Sequence, residues 1–362
     1  MMQTARRHAI AAGLVFALFA ASTAAFAECR VAFDMGSSGI RAGASSSPAT
    51  RRADIDYLGP LWAGRGLEET LAPTIKALRE LSVQAGFGDD CRRAAGGFSA
   101  WRLALQQDAG QLAAALRRIH DESGVALLVL PQLREGAYGY LGARQLLGDK
   151  LSTSHVLDIG GGSLQVAGER TAYGEPLGQK VVQRYLCQEI RNSESAPCTL
   201  QPMTGEELAI ARGLLREKLA GVAPALPETV TMTAISRPVS RGVAPAVARL
   251  AGEGAETTGF RRAALSRAIE RIANLTQAET AAAVGSPAAY VAYLLSDMLL
   301  VEGLLQATGG DELQVAELDL TNLPGLLADD RLFDWAGHYG CYLDRLRDLG
   351  LEAYASDPAS CP

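Results

Sequence analysis

The sequence predicts an α/β fold built from two related halves that face each other across a cleft. Two observations carry this. Strand-like and helix-like segments interleave along the whole chain, the pattern of α/β proteins rather than of segregated strands and helices. A glycine-rich hairpin also occurs twice, as Val31-Ala32-Phe33-Asp34-Met35-Gly36-Ser37-Ser38-Gly39-Ile40-Arg41 and as His155-Val156-Leu157-Asp158-Ile159-Gly160-Gly161-Gly162-Ser163-Leu164-Gln165. Superposed, the copies place Asp34 on Asp158, Gly36 on Gly160 and Arg41 on Gln165, 124 residues apart. A chain of 362 residues accommodates two domains, and a hydrophobic content of 48% supplies their cores.

The chain opens with Arg6 and Arg7, an apolar run from Ala9 to Phe19, and Ala25-Phe26-Ala27. This is the pattern of a cleavable export signal, cut near Ala27/Glu28, and it predicts a periplasmic or secreted protein. The run is too short to span a bilayer, and no later stretch reaches the roughly 18 apolar residues a span needs. Loss of the leader removes two arginines and no acid, which moves the formal charge from −6 to −8. An acidic chain argues against general nucleic-acid binding, so a polyanionic ligand would need a local basic cluster and a metal. All six cysteines follow the leader, and an even number in an exported chain reads as disulfides. Proximity favours Cys187–Cys198 and Cys341–Cys361, leaving Cys29–Cys91. There is no C-x-x-C and no close histidine pair, which argues against zinc.

Residues 29–43 read as the first hairpin and 45–60 as a loop or ragged strand. Leu67–Gln84 has helical spacing despite Pro73. Arg92–Gly96 is a short strand. Trp101–Ile119 is an amphipathic helix with Leu103, Leu112, Leu116 and Ile119 along one stripe. Val125–Leu130 is a buried strand, Glu135–Leu147 a helix, and His155–Gly168 the second hairpin. A strand is expected near Lys180–Leu186, then a helix over Gly205–Ala220 capped by Thr204. Thr229–Ile235 alternates as a strand, several helices fall between Val243 and Gln306, Leu313–Leu318 is a strand, and Asp330–Leu349 closes as helix. These elements divide into a first domain over 28–150, a second over 151–335, and a helical, disulfide-bonded extension over 336–362.

The repeated turn carries chemistry. Small residues let backbone N–H groups approach an anion closely. An aspartate at a strand end can hold a divalent cation through the cation's waters. Two such turns face to face would clamp a phosphate chain from both sides. Between them lie Gly96-Gly97-Phe98-Ser99-Ala100-Trp101-Arg102 and Leu133-Arg134-Glu135-Gly136-Ala137-Tyr138-Gly139-Tyr140-Leu141-Gly142. The forked guanidinium groups of Arg41 and Arg102 suit phosphate oxygens. A glutamate such as Glu135, ionised above ~4.3, can orient and deprotonate a water. No Ser-His-Asp or Cys-His set is present, so no covalent intermediate is expected. Each residue also has a purely structural reading: the aspartates as turn caps, Glu135 as a helix-start carboxylate, Arg102 in a surface ion pair.

At these segments the chain resembles the exopolyphosphatase/guanosine-pentaphosphate phosphatase family of the actin-like superfamily. Asp34–Ser37 with Arg41 is similar to the family's first phosphate motif and Asp158–Ser163 to its second. Ser99–Arg102 is similar to its Ser-Ala-x-Arg segment, and Glu135-Gly136 with the Tyr-x-Tyr-Leu-Gly run to its catalytic glutamate motif. Pro202–Leu208 also resembles a second-domain segment. The resemblance covers most of residues 29–330. It implies a duplicated actin-like (ribonuclease H-like) two-domain fold with an interdomain cleft, and Mg²⁺-dependent release of phosphate from polyphosphate or a nucleotide polyphosphate. Asp34 and Asp158 would serve the metal. Gly36, Ser37, Ser38, Arg41, Gly160, Gly161, Gly162 and Ser163 would bind phosphate, and Glu135, Arg102 and Gln165 would be catalytic. The implied partners are this substrate and, as a candidate assembly, a second copy of the chain, with no nucleic acid. The first motif, Gln165 and export also resemble the apyrases, exported nucleoside tri- and diphosphatases. Phe98 stands where the family has a small polar residue, and no late Gly-Gly-Thr element is recognisable across Thr231–Ala246. These departures keep a catalytically silent polyphosphate- or nucleotide-binding protein as a further alternative.

Overall fold

The computed structural model describes residues 28–193, 198–226, 229–252, 258–287, 291–318 and 322–361. The expected leader, 1–27, lies outside the described residues. Strands β1 (Arg30–Met35), β2 (Gly39–Ala44), β3 (Ser47–Asp54), β4 (Arg92–Gly97) and β5 (Ala126–Val129) form one sheet in the order β3-β2-β1-β4-β5. Strands β6 (His155–Ile159), β7 (Leu164–Gly168), β8 (Ala172–Glu175), β9 (Met232–Ala234), β10 (Gly259–Arg261) and β11 (Glu312–Val315) form a second in the order β10-β11-β9-β6-β7-β8. The two orders match strand for strand, with β10 added at one edge. In each sheet the strand entering the glycine turn pairs antiparallel with the strand leaving it, and parallel with a later strand on its other side. The duplication legible in one hairpin therefore extends to the whole sheet plan.

Burial on both faces explains the continuous apolar reading of the inner parallel strands, such as Ala126–Val129. The opposite holds for β3, whose Ser-Pro-Ala-Thr-Arg-Arg-Ala-Asp sequence is that of a polar edge strand. That composition is why it reads as ragged in sequence. Three further expectations are corrected. The single helix over Trp101–Ile119 is two helices, Ser99–Gln107 and Ala109–Ser123. They are separated at Asp108, whose extended backbone stops the first and whose carboxylate accepts the Gln111 N–H at 2.8 Å to cap the second. The strand expected near Lys180–Leu186 is the helix Gln179–Arg191, with Val182, Leu186 and Cys187 buried along one face. The closing helix is split into Asp330–Gly337 and Tyr339–Leu349.

Each sheet has its own apolar core. The first core also takes in Leu323, Leu326, Phe333, Trp335, Tyr342, Leu346 and Tyr354. The chain therefore returns to the first half after Asn322, where the sequence reading had kept it in the second half up to residue 335. The return is fixed by close packing and by hydroxyls aimed at β5. Leu323 lies over Gly43 and Leu326 over Gly96. Tyr339 donates to the Leu127 carbonyl at 3.0 Å, and Tyr342 accepts the Val129 N–H at 2.7 Å. All three expected disulfides, Cys29–Cys91, Cys187–Cys198 and Cys341–Cys361, are formed. No helix among the described residues is long and apolar enough to cross a membrane.

Candidate active site

The two glycine turns are built alike. In each, the first glycine N–H closes the turn, Gly36 on the Gly39 carbonyl at 3.1 Å and Gly160 on the Ser163 carbonyl at 2.8 Å. In each, the turn carbonyls are tied back to the segment after the third strand. Ile55 and Tyr57 donate to Ser38 and Ser37, and Gln179 and Lys180 donate to Gly160 and Gly161. With the carbonyls so engaged, the N–H groups of Ser37, Ser38, Gly161 and Gly162 have no acceptor among the described residues.

The turns meet. A Cβ on Gly161 would run into Ser37 Oγ, and one on Gly162 would come within 2.8 Å of Ser99 Oγ. Only glycine lets the second turn lie this close to the first half. Asp34 and Asp158 line one cavity of about 220 Å³, together with Gly36, Gly160, Arg41, Arg52, Ser236 and Arg237.

Register explains what faces this cavity. Asp34 lies directly opposite Arg41, and Arg41 directly opposite Arg52, so one face of β1-β2-β3 carries an Asp-Arg-Arg row. Two like charges directly opposed cost stability unless an anion shares them. Arg52 holds Asp54 at 2.6 Å, but both are largely exposed, so that pair is weak and easily exchanged. The matching row of the second sheet reads Asp158, Gln165, Gly174. The helix Gln132–Leu147 lies over it. Gln132 occupies the space above Gly174 and donates to the Leu164 and Glu175 carbonyls, and Gly136 packs on Gln165.

Beside the second turn is a buried polar cluster. Arg102 donates to Glu135 Oε2 at 2.6 Å, to the Leu130 carbonyl at 3.0 Å and to Ser163 Oγ at 3.2 Å. Gln165 donates to Ser163 Oγ at 3.0 Å. Arg102 and Glu135 are 5% and 8% exposed, so this is a desolvated pair, unlike the surface ion pair that sequence left open. Burial and the nearby Glu135 push the Asp34 carboxyl up to about 7, against Arg41, a hydrogen bond from the Asn322 side chain, and Arg52. Among the described residues no group of three or more His, Cys, Asp or Glu side chains could hold a metal by itself.

The structure thus places Asp34, Gly36, Ser38, Arg41, Asp158 and Gly160 around one cavity, Ser37 against Gly161 and Ser99 against Gly162 where the turns meet, and Arg102, Glu135, Ser163 and Gln165 in a buried cluster that does not line that cavity. It adds Arg52, Ser236, Arg237 and Asn322. The paired arginines of β3 were a usable signal, since the hairpin register puts one of them opposite Arg41. Ser236 and Arg237 fall in the stretch that lacks a Gly-Gly-Thr element. They supply the wall there, and Ser236 Oγ accepts the Ile159 N–H at 3.0 Å at the end of β6. Asn322 carried no local signal.

No family model matches the chain, and no curated protein matches it in sequence. Solved structures do match in three dimensions. An Aquifex aeolicus member of the Ppx/GppA protein family aligns over 83% of this chain and 96% of its own, at 18% identity and a TM-score of 0.61. An exopolyphosphatase from Cytophaga hutchinsonii aligns over 83% and 96%, at 17% identity and a TM-score of 0.59. An exopolyphosphatase-like protein aligns over 86% and 98%, at 17% identity and a TM-score of 0.61. The fold is actin-like. It is the two-domain fold of the Ppx/GppA structures, reached here by a sequence far diverged from theirs.

Proposed function

We propose that the chain is a divalent-cation-dependent phosphoanhydride hydrolase. It releases terminal phosphate from polyphosphate or a nucleotide polyphosphate by direct attack of water; its structural neighbours are named as phosphatases and exopolyphosphatases. The observation that carries this reading is the meeting of the two anion-ready turns beside a buried carboxylate, Glu135, held in place by Arg102. Three disulfides and the N-terminal sequence support action outside the cytoplasm.

Phosphoryl transfer needs positioning and charge neutralisation more than covalent help. The free N–H groups of the two turns would bind phosphate oxygens, with Arg41, Arg52 and Arg237 supplying positive charge along the cavity. Arg102 would fix the Glu135 carboxylate so that it orients the attacking water and takes its proton. Ser163, bonded to both Arg102 and Gln165, would hold the second turn in register with that carboxylate.

The residues present fit a hard cation. Two carboxylates line one cavity, and a buried amide oxygen, Asn322 Oδ1, lacks any hydrogen-bond partner. Oxygen donors in that number suit Mg²⁺, which keeps several of its waters. Asp34 and Asp158 would hold it, and when bound it would neutralise charge on the phosphate oxygens.

The test is phosphate release from long-chain polyphosphate, ATP, ADP and guanosine pentaphosphate, with and without Mg²⁺, by wild type and Glu135→Gln. Mg²⁺-dependent release by wild type alone is the expected result. Equal, near-zero release by both on every substrate would end the enzyme reading, and tight binding without turnover would make the chain a sensor or carrier.

A further inference from the structure

Asn322 sits at the point where the chain crosses back to the first half, immediately before the helix Leu323–Ala328. Asparagine is among the best capping residues because its side chain can accept a backbone N–H of the first turn. Here it makes no such bond. Its backbone is already helical (φ −97°, ψ −21°), and the side chain is turned elsewhere. It is 5% exposed, it hydrogen-bonds Asp34, and its Oδ1 has no partner. An unpartnered buried amide oxygen carries an uncompensated desolvation cost, so it calls for an occupant.

The direction of that oxygen is given by Gly139 on the crossing helix. A Cβ built on Gly139 would lie 3.9 Å from Asn322 Oδ1 and 4.0 Å from Asp158 Oδ2. The two oxygens therefore approach the same stretch of helix, beside the Ile235 Cδ1 methyl at 3.9 Å, and the missing side chain at Gly139 keeps that approach clear. Asn322 thus touches the aspartate of the first turn with its amide, and its Oδ1 lies near the same point of the helix as Asp158 Oδ2.

We infer that Asn322 is a third oxygen donor of the divalent-cation site, its Oδ1 directed at the ion or at one of the ion's waters between Asp34 and Asp158. This rests on the hydrolase reading above for the presence of an ion, and it adds a residue from outside both turns. A neutral amide oxygen suits the place, since a third carboxylate would repel Asp34 whenever the ion is away. It also ties cation binding to the chain's return segment, so the ion joins both turns to the crossing that connects the halves.

The test is Mn²⁺ titration of the full chain, read by the electron paramagnetic resonance of free Mn²⁺, with and without imidodiphosphate as a non-hydrolysable anion and with Mg²⁺ as competitor. Asn322→Ala and the near-isosteric Asn322→Leu should bind Mn²⁺ at least about tenfold more weakly, and Asn322→Asp should stay within about threefold of wild type. Far-UV circular dichroism and Tm check that each variant folds, and the leucine variant fills the space should alanine let it collapse. Unchanged Mn²⁺ affinity in either apolar variant overturns the inference, even if the wild type hydrolyses phosphoanhydrides. An equal loss in Asn322→Asp marks a structural role and also overturns it. Absence of Mn²⁺ binding by the wild type overturns it together with the cation dependence. Asn322-dependent binding in a protein that hydrolyses nothing leaves the inference standing and removes the hydrolase reading.

Discussion

The two glycine turns share their backbone almost bond for bond, yet they are finished differently. Around the first, the sheet row runs Asp34, Arg41, Arg52 and opens on the cavity. Around the second it runs Asp158, Gln165, Gly174 and is roofed by the helix Gln132–Leu147. The cause is unequal crossing helices. The one over the second sheet has sixteen residues, and its counterpart over the first, Leu323–Ala328, has six. The short helix covers β1 and reaches only the end of β2 through Leu323 over Gly43. The long one brings Glu135 and Gln132 down on the outer strands of the other half. Duplication would thus supply a symmetric grip on a phosphate chain, and the inequality would divide the labour into an anion-holding wall and a water-activating wall.

That division makes Glu135→Gln the most damaging change expected. It should lower the rate by roughly 10²–10⁴-fold while leaving anion binding near wild type, and it should lower Tm because the buried Arg102 loses its counter-ion although the glutamine keeps the shape. Matched losses of rate and anion affinity would merge the two walls.

The supports behind the turns differ as well. The first turn leans on Tyr57, whose hydroxyl meets Thr74 at 2.8 Å, a neutral pair. The second leans on Gln179, which donates to Asp297, a buried carboxyl that desolvation pushes up to about 8. The folded state then holds a proton that the unfolded chain releases from about pH 4. Stability should fall as pH rises from about 4 to 8 and level off above, since the folded state binds more protons across that window. Asp297→Asn should reduce that slope to the part that Asp34, raised to about 7, contributes between pH 4 and 7, and gain stability on the order of a few kcal/mol at pH 8 and little at pH 4, by thermal melts across pH. Tyr57→Phe should cost about 1 kcal/mol at every pH. An unchanged slope in Asp297→Asn would place the titrating group elsewhere.

A third contrast is steric. Gly161→Ala drives a Cβ against Ser37 and should destabilise by about 1–3 kcal/mol in denaturant melts. Gly36→Ala meets nothing within 4 Å and should leave stability alone while weakening anion affinity, because it fills the cavity side. Equal effects of the two would mean that the turns do not touch in solution. The mildest change is Arg52→Ala, for which a roughly tenfold rise in KM with kcat unchanged is expected, falling with salt. A loss in kcat instead would place Arg52 on the water-activating side.

Much of this was legible in the sequence because it is local. The paired Asp-Gly turns and the three disulfide pairs follow from spacing and residue type, and the Arg102 and Glu135 segments from their resemblance to a known family. The cap at Thr204 was announced by its residue type, and the structure adds Glu207, which completes a capping box. What escaped was decided by neighbours distant in sequence. A helical face at Val182, Leu186 and Cys187 reads as a strand when β-branched residues lead it, and only packing against the second core settles it. The break at Asp108 depends on where two helices must diverge. The return of residues 323–361 to the first core depends on Gly43 and Gly96 offering room to leucines 280 and 230 residues away. Asn322 is the extreme case: an ordinary helix-start residue in sequence, and a buried amide against Asp34 in space.

The central claim is that both turns grip one metal-bound anion, and the direct measurement is a double-mutant cycle on Mn²⁺ affinity in the presence of imidodiphosphate. With one shared ion, Asp34→Asn and Asp158→Asn should each lose nearly all that the double variant loses, so the effects fall well short of adding. Losses that add, or full Mn²⁺ binding after either aspartate is neutralised, would mean that the turns act apart and would contradict the account.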